Sequence, residues 1–364
     1  MTLRGSAAIA TPTAMAEEAA QMAVEAGLHY VSCNEPGIRR MRVGKGFYYL
    51  TPENRRLKSA GDLKRIASLA VPPAYEDVWI CLNPRGHLQA TGHDARGRKQ
   101  YRYHPEWRQV RDDAKFDRMV AFGDALPKLR RRINRDLQRD GLPRDKVLAA
   151  VAALLDASRA RIGNAEYARD NKSFGLTTLR NRHVTFWSDG SAVLNFRGKG
   201  GVQHEIPVDD KRIVRIVQRC QELPGQRLFQ YVAEDGRRCP VDSGQVNEYL
   251  REAMGDDFTA KDFRTWGATF RALVLLARIP RDPEASERAL KGAIAGVVKQ
   301  VAAELRNTPA VCRKSYINPA VFEGWRSGMV HDALGTGLET ASPRKAEALV
   351  GDFLKQIERH SRPL

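Results

Sequence analysis

The sequence predicts an α+β protein in two parts: a small β-rich domain, then a mainly helical domain that carries a three-stranded β meander. Three observations lead there. Short, turn-bounded apolar runs fill the stretch from about Leu28 to Tyr103. Helical periodicity dominates after "HPEW". A single β-rich island, "HVTFW…AVLNFR…VQHEIPV", interrupts those helices.

In the first part, "GKGFYYL" and "DVWICLN" read as strands, the second following the Pro72-Pro73 break. "HLQATGHD" and "RKQYRY" flank a Gly-containing turn and make a hairpin. "AGDLKRIASLAV" places its apolar residues at helical spacing. The residues before Leu28 are Ala-rich but include Glu17 and Glu18, which does not suit a secretory signal. They are expected to be a loose, partly helical tail. In the second part, helices are predicted over Lys115–Gln138 and Asp145–Ser158, the latter with a stripe of Val147, Leu148, Val151, Leu154 and Leu155. Helices return at Asp209–Leu223, Ser243–Met254, Ala260–Arg278 and Pro283–Arg306. The expected division is a flexible tail at 1–27, a small N-terminal domain at 28–107 and a larger domain at 108–364. A linker is expected near 104–112.

Composition narrows the partner. The formal charge is +17 over 364 residues, and the arginines run along the whole chain instead of gathering in one tail. That distribution suits a surface for a polyanion, with nucleic acid favoured. No long apolar run or strongly amphipathic cationic helix supports a membrane partner. The five cysteines stand far apart without a CxxC pair, which points to reduced thiols, a cytoplasmic location and no zinc site.

The stretch "NTPAVCRKSYINP" sets a tyrosine, Tyr316, after a cationic run and a Thr-Pro break. Alone it reads as an ordinary helix flank. Arg161 in "SRARIGNAEY", Lys199 in "FRGKGG", Arg264 in "KDFRTW" and Asn307 in "NTPAV" are equally ordinary singly. Together and in this order they resemble the type IB DNA topoisomerases, especially the small poxvirus-like enzymes of bacteria. "GRKQYRYHPEW" is similar to the end of that family's N-terminal domain. "RIGNAEYARDNKSFGLTTLRNRHV" is similar to its first catalytic arginine and the DNA-reading helix that follows.

The resemblance implies a function: relaxation of positive and negative supercoils by transient single-strand cleavage through a 3′-phosphotyrosyl link, without nucleotide, metal or other cofactor. It implies Tyr316 as nucleophile, Arg161 and Arg264 as clamps on the non-bridging oxygens, and Lys199 as the acid for the leaving 5′ oxygen. The chemistry suits the residue types. Guanidinium forks fit phosphate oxygens in a way lysine cannot, and removing one such preorganised donor costs about 2.7–4 kcal/mol. Viral and nuclear members carry histidine where this chain has Asn307. An amide can donate to a phosphate oxygen but cannot titrate near neutrality. No Walker motif and no clustered carboxylates appear.

By the same resemblance the helix near Gly163 lies in the major groove, with Tyr167, Asn171 and Thr178 as its DNA contacts. In "RKQYRY", strand alternation sets Lys99, Tyr101 and Tyr103 on one face and Arg98, Gln100 and Arg102 on the other. Arg98, Lys99, Gln100, Tyr101 and Tyr103 are therefore candidate DNA contacts; an edge strand with aromatic packing is the alternative. The implied assembly is a monomer closing as a C-shaped clamp on duplex DNA, nucleoid-associated in the cytoplasm. Two rival functions are a tyrosine recombinase and a non-catalytic architectural DNA binder. Recombinases usually have histidine where this chain has Lys261, and an architectural protein needs no such set of site residues. The segment after Tyr316 contains an amphipathic helix, "SPRKAEALVGDFLKQIERH", without an evident role.

Overall fold

The computed structural model describes residues 12–361 apart from Lys45, Arg96, Asp256, Asp257, Arg281, Pro283 and Thr336. The chain divides into two compact units, residues 1–115 and 116–364. The architecture is α+β: a small antiparallel sheet in the first unit and a largely helical second unit.

The first unit contains α1 (Pro12–Glu25), β1 (Ile38–Val43), β2 (Gly46–Leu50), α2 (Ala60–Ser68), β3 (Glu76–Ile80), β4 (Leu88–His93) and β5 (Lys99–Tyr103). The five strands form one antiparallel sheet in the order β2-β1-β3-β4-β5. One face buries Ile38, Val78, Ile80 and Ala90 with Ile66 of α2, whose first turn is capped by Ser59. Of the expected tail, residues 1–11 lie outside the described residues and 12–25 are α1, where Ala23 packs with Leu28 and Trp107.

Strand β1 is absent from the sequence reading, because "IRRMRV" lacks a clean alternation. The structure accounts for its arginines. Arg40 lies 4.2 Å over the ring of Phe47 and donates to the carbonyls of Val71, Pro72 and Tyr75. Its stem covers the sheet while its fork closes the Pro72-Pro73 turn.

Helix α3 (Pro105–Asp136) begins where a linker was expected. Then come α4 (Arg144–Ser158), α5 (Ala165–Asn171), β6 (Val184–Phe186), β7 (Ala192–Arg197), β8 (Gln203–Val208) and α6 (Lys211–Glu222). A short hairpin, β9 (Gln230–Val232) and β10 (Arg238–Pro240), precedes α7 (Ser243–Met254), α8 (Asp262–Ala277) and α9 (Glu287–Glu304). The chain continues with α10 (Pro309–Ser315), α11 (Ala320–Arg326), α12 (Met329–Leu334), α13 (Gly337–Thr340) and α14 (Pro343–Ser361).

The apolar stripe of α4 is buried throughout, as its spacing requires, and anchors the core of this unit. The meander β6-β7-β8 pairs in sequence order. Inward positions alternate along it: Ala192, Leu194 and Phe196 face Val208, Ile206 and His204 in register. All five cysteines are free thiols.

The end of α3 is tied to α7 by a buried carboxylate. The Asp136 side chain is fully buried, and Arg132, Arg135, Arg139 and the Tyr249 hydroxyl all donate to it. Burial pushes its pKa up, but these donors outweigh burial and hold it below the ordinary 3.8. Its stabilising effect is therefore complete above the unfolded value and is lost as pH falls through the lower, folded value. Tyr249→Phe is expected to cost about 1.5–3 kcal/mol, as for a hydrogen bond to a charged group. Asp136→Asn should cost more and flatten the loss of stability in acid. Denaturant unfolding between neutral and acid pH checks both; an acid limb unchanged in Asp136→Asn would contradict the assignment.

Candidate active site

The site is assembled from four separate breaks in helices. Helix α4 ends at Arg159, which takes a left-handed conformation (φ 54°), and the extended segment beyond it carries Arg161. The backbone carbonyls of Arg161 and Ile162 accept from the amides of Leu176 and Thr177. Arg264 stands in the first turn of α8. Arg306, also left-handed (φ 52°), turns the chain out of α9 to Asn307. Thr308 then caps α10, with Pro309 in its first turn. Tyr316 follows the last turn of that short helix, so the Thr-Pro pair opens α10 and the tyrosine closes it. Thr269, fully buried on α8, fixes the exit: its hydroxyl donates to the Tyr316 carbonyl at 3.2 Å and accepts from the Asn318 amide at 3.1 Å.

Four of the five predicted residues come together. Arg161 donates to Asn307 Oδ1 at 2.9 Å. The Arg264 guanidinium lies 5.0 Å from the Tyr316 ring centroid. Only 3% of Arg264 is exposed, and among the described residues no carboxylate pairs with it. Its Nη1 donates to the Arg159 carbonyl at 2.5 Å and its Nη2 to the Leu305 carbonyl at 3.0 Å. These acceptors orient the fork without cancelling its charge.

Among the described residues three buried donors in the cluster lack a well-formed hydrogen bond, Arg161 Nη1, Arg264 Nε and Asn307 Nδ2; their side chains stand close enough to the Tyr316 hydroxyl to stabilise its ionised form. Leaving such groups dry and incompletely bonded is costly unless a ligand completes them. With Asn307 Oδ1 occupied by Arg161, the free end of the amide is its donor. The neighbouring charges also act on the phenol. Burial opposes ionisation of Tyr316, but Arg264, Arg161 and Asn307 outweigh it and hold its pKa below the ordinary 10.0. Arg161 itself is pushed down, by burial first and by Arg264 second. The cluster is thus a concentrated positive site built around one hydroxyl.

Lys199 is set apart from these four. It opens a 3-10 turn, Lys199–Gly201, at the tip between β7 and β8, and its Nζ lies 5.9 Å from the centroid of the Tyr167 ring. Gly200 and Gly201 both take positive φ there, which explains the glycines of the motif. Tyr167 sits on α5, whose Asn164 cap accepts from the Tyr167 amide.

The other candidate contacts divide. Thr178 is buried, and its hydroxyl both donates to the Gly175 carbonyl and accepts from the Gly175 amide. These bonds close the turn that pairs with the Arg161 segment. Asn171 donates back to the Tyr167 carbonyl and ends α5. On β5, Arg98 and Gln100 share Asp94, and Lys99 Nζ is 3.0 Å from Cys33 Sγ. The Tyr101 and Tyr103 rings are nearly parallel, 6.0 Å apart, and β5 is the edge strand. Register carries the Tyr101 face across the sheet through Thr91 and Trp79 to Arg39. Arg39 was missed because β1 was missed, and Trp79, on the β3 that was read as a strand, because without β1 its neighbour on that face was unknown. Thr269 was missed as one threonine among many inside a helix.

Comparison with known proteins agrees with this geometry. Residues 104–325 match the family described as eukaryotic DNA topoisomerase I, catalytic core. Residues 46–94 match the bacterial DNA topoisomerase IB N-terminal domain. A DNA topoisomerase 1B of Acanthamoeba polyphaga mimivirus is 35% identical over 286 residues, covering 77% of this chain and 85% of the viral one. DNA topoisomerase 1B of vaccinia virus (strain Copenhagen) is 26% identical over 255 residues, 68% and 75% of the two chains. The chain belongs to the type IB DNA topoisomerases, in their poxvirus-like group, and is an isomerase.

Arg264→Ala removes the strongest influence favouring the phenolate while burial remains. The Tyr316 pKa should therefore rise, above the ordinary value if Arg161 and Asn307 do not compensate for burial. Ultraviolet difference titration of Arg264→Ala against its Tyr316→Phe double variant measures this. A pKa unchanged from the parent would show that Arg264 does not act on the phenol.

Proposed function

We propose that this chain relaxes supercoils of both signs by cutting and resealing one strand of duplex DNA through a 3′-phosphotyrosyl intermediate. The observation that carries the reading is the set of three buried donors around Tyr316 that lack a well-formed hydrogen bond. A phosphodiester offers two non-bridging oxygens for those donors and one phosphorus for the phenol. The Tyr316 oxygen bonds to phosphorus, the bond to the 5′ oxygen breaks, and the phenolic proton leaves to solvent. Lys199 gives a proton to the departing oxygen once its turn closes on the DNA. Religation reverses these steps, and one phosphodiester replaces another, so no ATP is consumed. Arg161, Arg264 and Asn307 hold charge on phosphate throughout, a role that needs no divalent ion.

Binding is proposed to rest mainly on phosphate contacts, by the helical unit around Tyr167 and by the Tyr101 face of the sheet. The enzyme is proposed to act as a monomer on double-stranded DNA, without nucleotide, in the nucleoid. Among the described residues no helix is long and apolar enough to cross a membrane.

The purified protein should relax negatively and positively supercoiled plasmid in EDTA without nucleotide. Dependence on ATP or magnesium would overturn the reading. Denatured reactions on end-labelled DNA should contain a 3′-linked adduct that Tyr316→Phe cannot form.

Asn307 offers a sharper test of phosphate contact. Asn307→His should keep much of the cleavage rate, and Asn307→Ala should lose about 10²–10³ at most. Asn307→Asp should be slower still, because a carboxylate would face both phosphate and phenolate. Single-turnover cleavage gives the order; an Asp variant as fast as the parent would remove Asn307 from the phosphate site.

A further inference from the structure

The turn that carries Lys199 rests on a residue with no part in the chemistry described above. His204, on β8, is 5% exposed and takes an inward position that Ile206 and Val208 continue. Its ring stacks on Phe196, its register partner across the meander, with centroids 4.9 Å apart and planes within 7°. The imidazole is kept neutral: burial first, then Arg306, Arg161 and Arg264, push its pKa down to about 4. It therefore stands near the arginine cluster without adding charge to it.

The edge of this ring lies against Gly198. A methyl group at Gly198 would come within 2.6 Å of both Cδ2 and Nε2 of His204, a separation at which something must move. Gly198 is the root of the Lys199 turn: its amide donates to the Val202 carbonyl at 2.8 Å, and its carbonyl accepts from Gly201 at 3.0 Å. Its φ of −93° is open to any residue. Contact with the imidazole, not backbone conformation, is what demands glycine there. The turn itself is glycine-rich and exposed, with Gly200 meeting nothing within 4 Å. So the buried Phe196–His204 stack is the wall from which an exposed tip projects.

We propose that His204 is a positioning residue for Lys199, its ring setting the root of the turn so that the ammonium reaches the leaving 5′ oxygen. This rests on the reading of Lys199 as the general acid. The contact acts through placement alone, and misplacing a reacting group by about 1 Å can cost 10²-fold.

The test uses the full-length protein and two suicide substrates, one with the ordinary 5′ oxygen at the scissile bond and one with sulfur in its place. Sulfur leaves without a proton, so a defect that runs through Lys199 disappears on it. Lys199→Ala is the control for the underlying reading. If sulfur does not rescue Lys199→Ala, the general-acid assignment fails and this inference with it. Given that rescue, His204→Ala should cleave the oxygen substrate about 10–10²-fold slower than the parent and the sulfur substrate at nearly the parent rate. A defect of equal size on both substrates, or none on either, overturns the inference.

Gly198→Ala is a second route if His204→Ala folds poorly. It should show the same oxygen-selective defect, because the methyl pushes the root off the ring. The double variant Gly198→Ala/His204→Ala should cleave the oxygen substrate faster than Gly198→Ala alone, since the new methyl fills the space the ring vacates. Additive losses in the double variant would mean that the ring and the turn root are not coupled.

Discussion

The whole catalytic unit is arranged around one electrostatic constraint: Arg264 must be buried, charged and unneutralised. A carboxylate partner would settle its desolvation cost and also cancel the field that phosphate needs. The protein instead turns two main-chain carbonyls toward the fork, those of Arg159 and Leu305. Those carbonyls lie at the ends of α4 and α9, where helices leave carbonyl groups without intrahelical partners. Two helix ends that would otherwise need capping thus become the cradle of a cation. Arg161 and Asn307 sit just beyond the same two helix ends, so the cradle and the phosphate donors are placed by one packing arrangement.

Tyr316 gains from that arrangement in two opposed ways. Burial alone would hold the phenol protonated, while the cations beside it favour the phenolate, and the cations win. The hydroxyl is thereby prepared without a dedicated base. Its backbone is held by Thr269, a turn and a half along the α8 helix from the first-turn arginine. Tyr316 and Arg264 are thus both referred to a single helix. Lys199 stands on a turn with two left-handed glycines, apart from the other four residues.

Much of this was legible in the sequence. The α4 stripe, the boundaries of α7 and the meander with Lys199 at its tip follow from periodicity and turn residues, and the family from resemblance. The misses have specific causes. Strand β1 escaped because its arginines look like surface charge, and only the structure shows Arg40 spending its donors on the carbonyls of a neighbouring turn. The expected linker is helical from Pro105, a residue type suited to a helix's first turn but equally a sign of a break. Thr178 is a candidate DNA contact by its motif alone. That its hydroxyl both gives to and takes from Gly175 is a tertiary fact.

By itself the sequence determined which residue types were available for phosphate chemistry, in what order, and on which helices, turns and strands they fall. Local periodicity and short motifs are properties of neighbours along the chain, and they are written there. Only the tertiary structure decided that Arg161, Arg264, Asn307 and Tyr316 meet, that three of their donors lack a well-formed hydrogen bond, and that a buried histidine lies under the Lys199 turn. Those outcomes depend on contacts between residues as far apart as Arg161 and Asn307. The geometry of such contacts is set by how helices pack and end, not by the identity of adjacent residues.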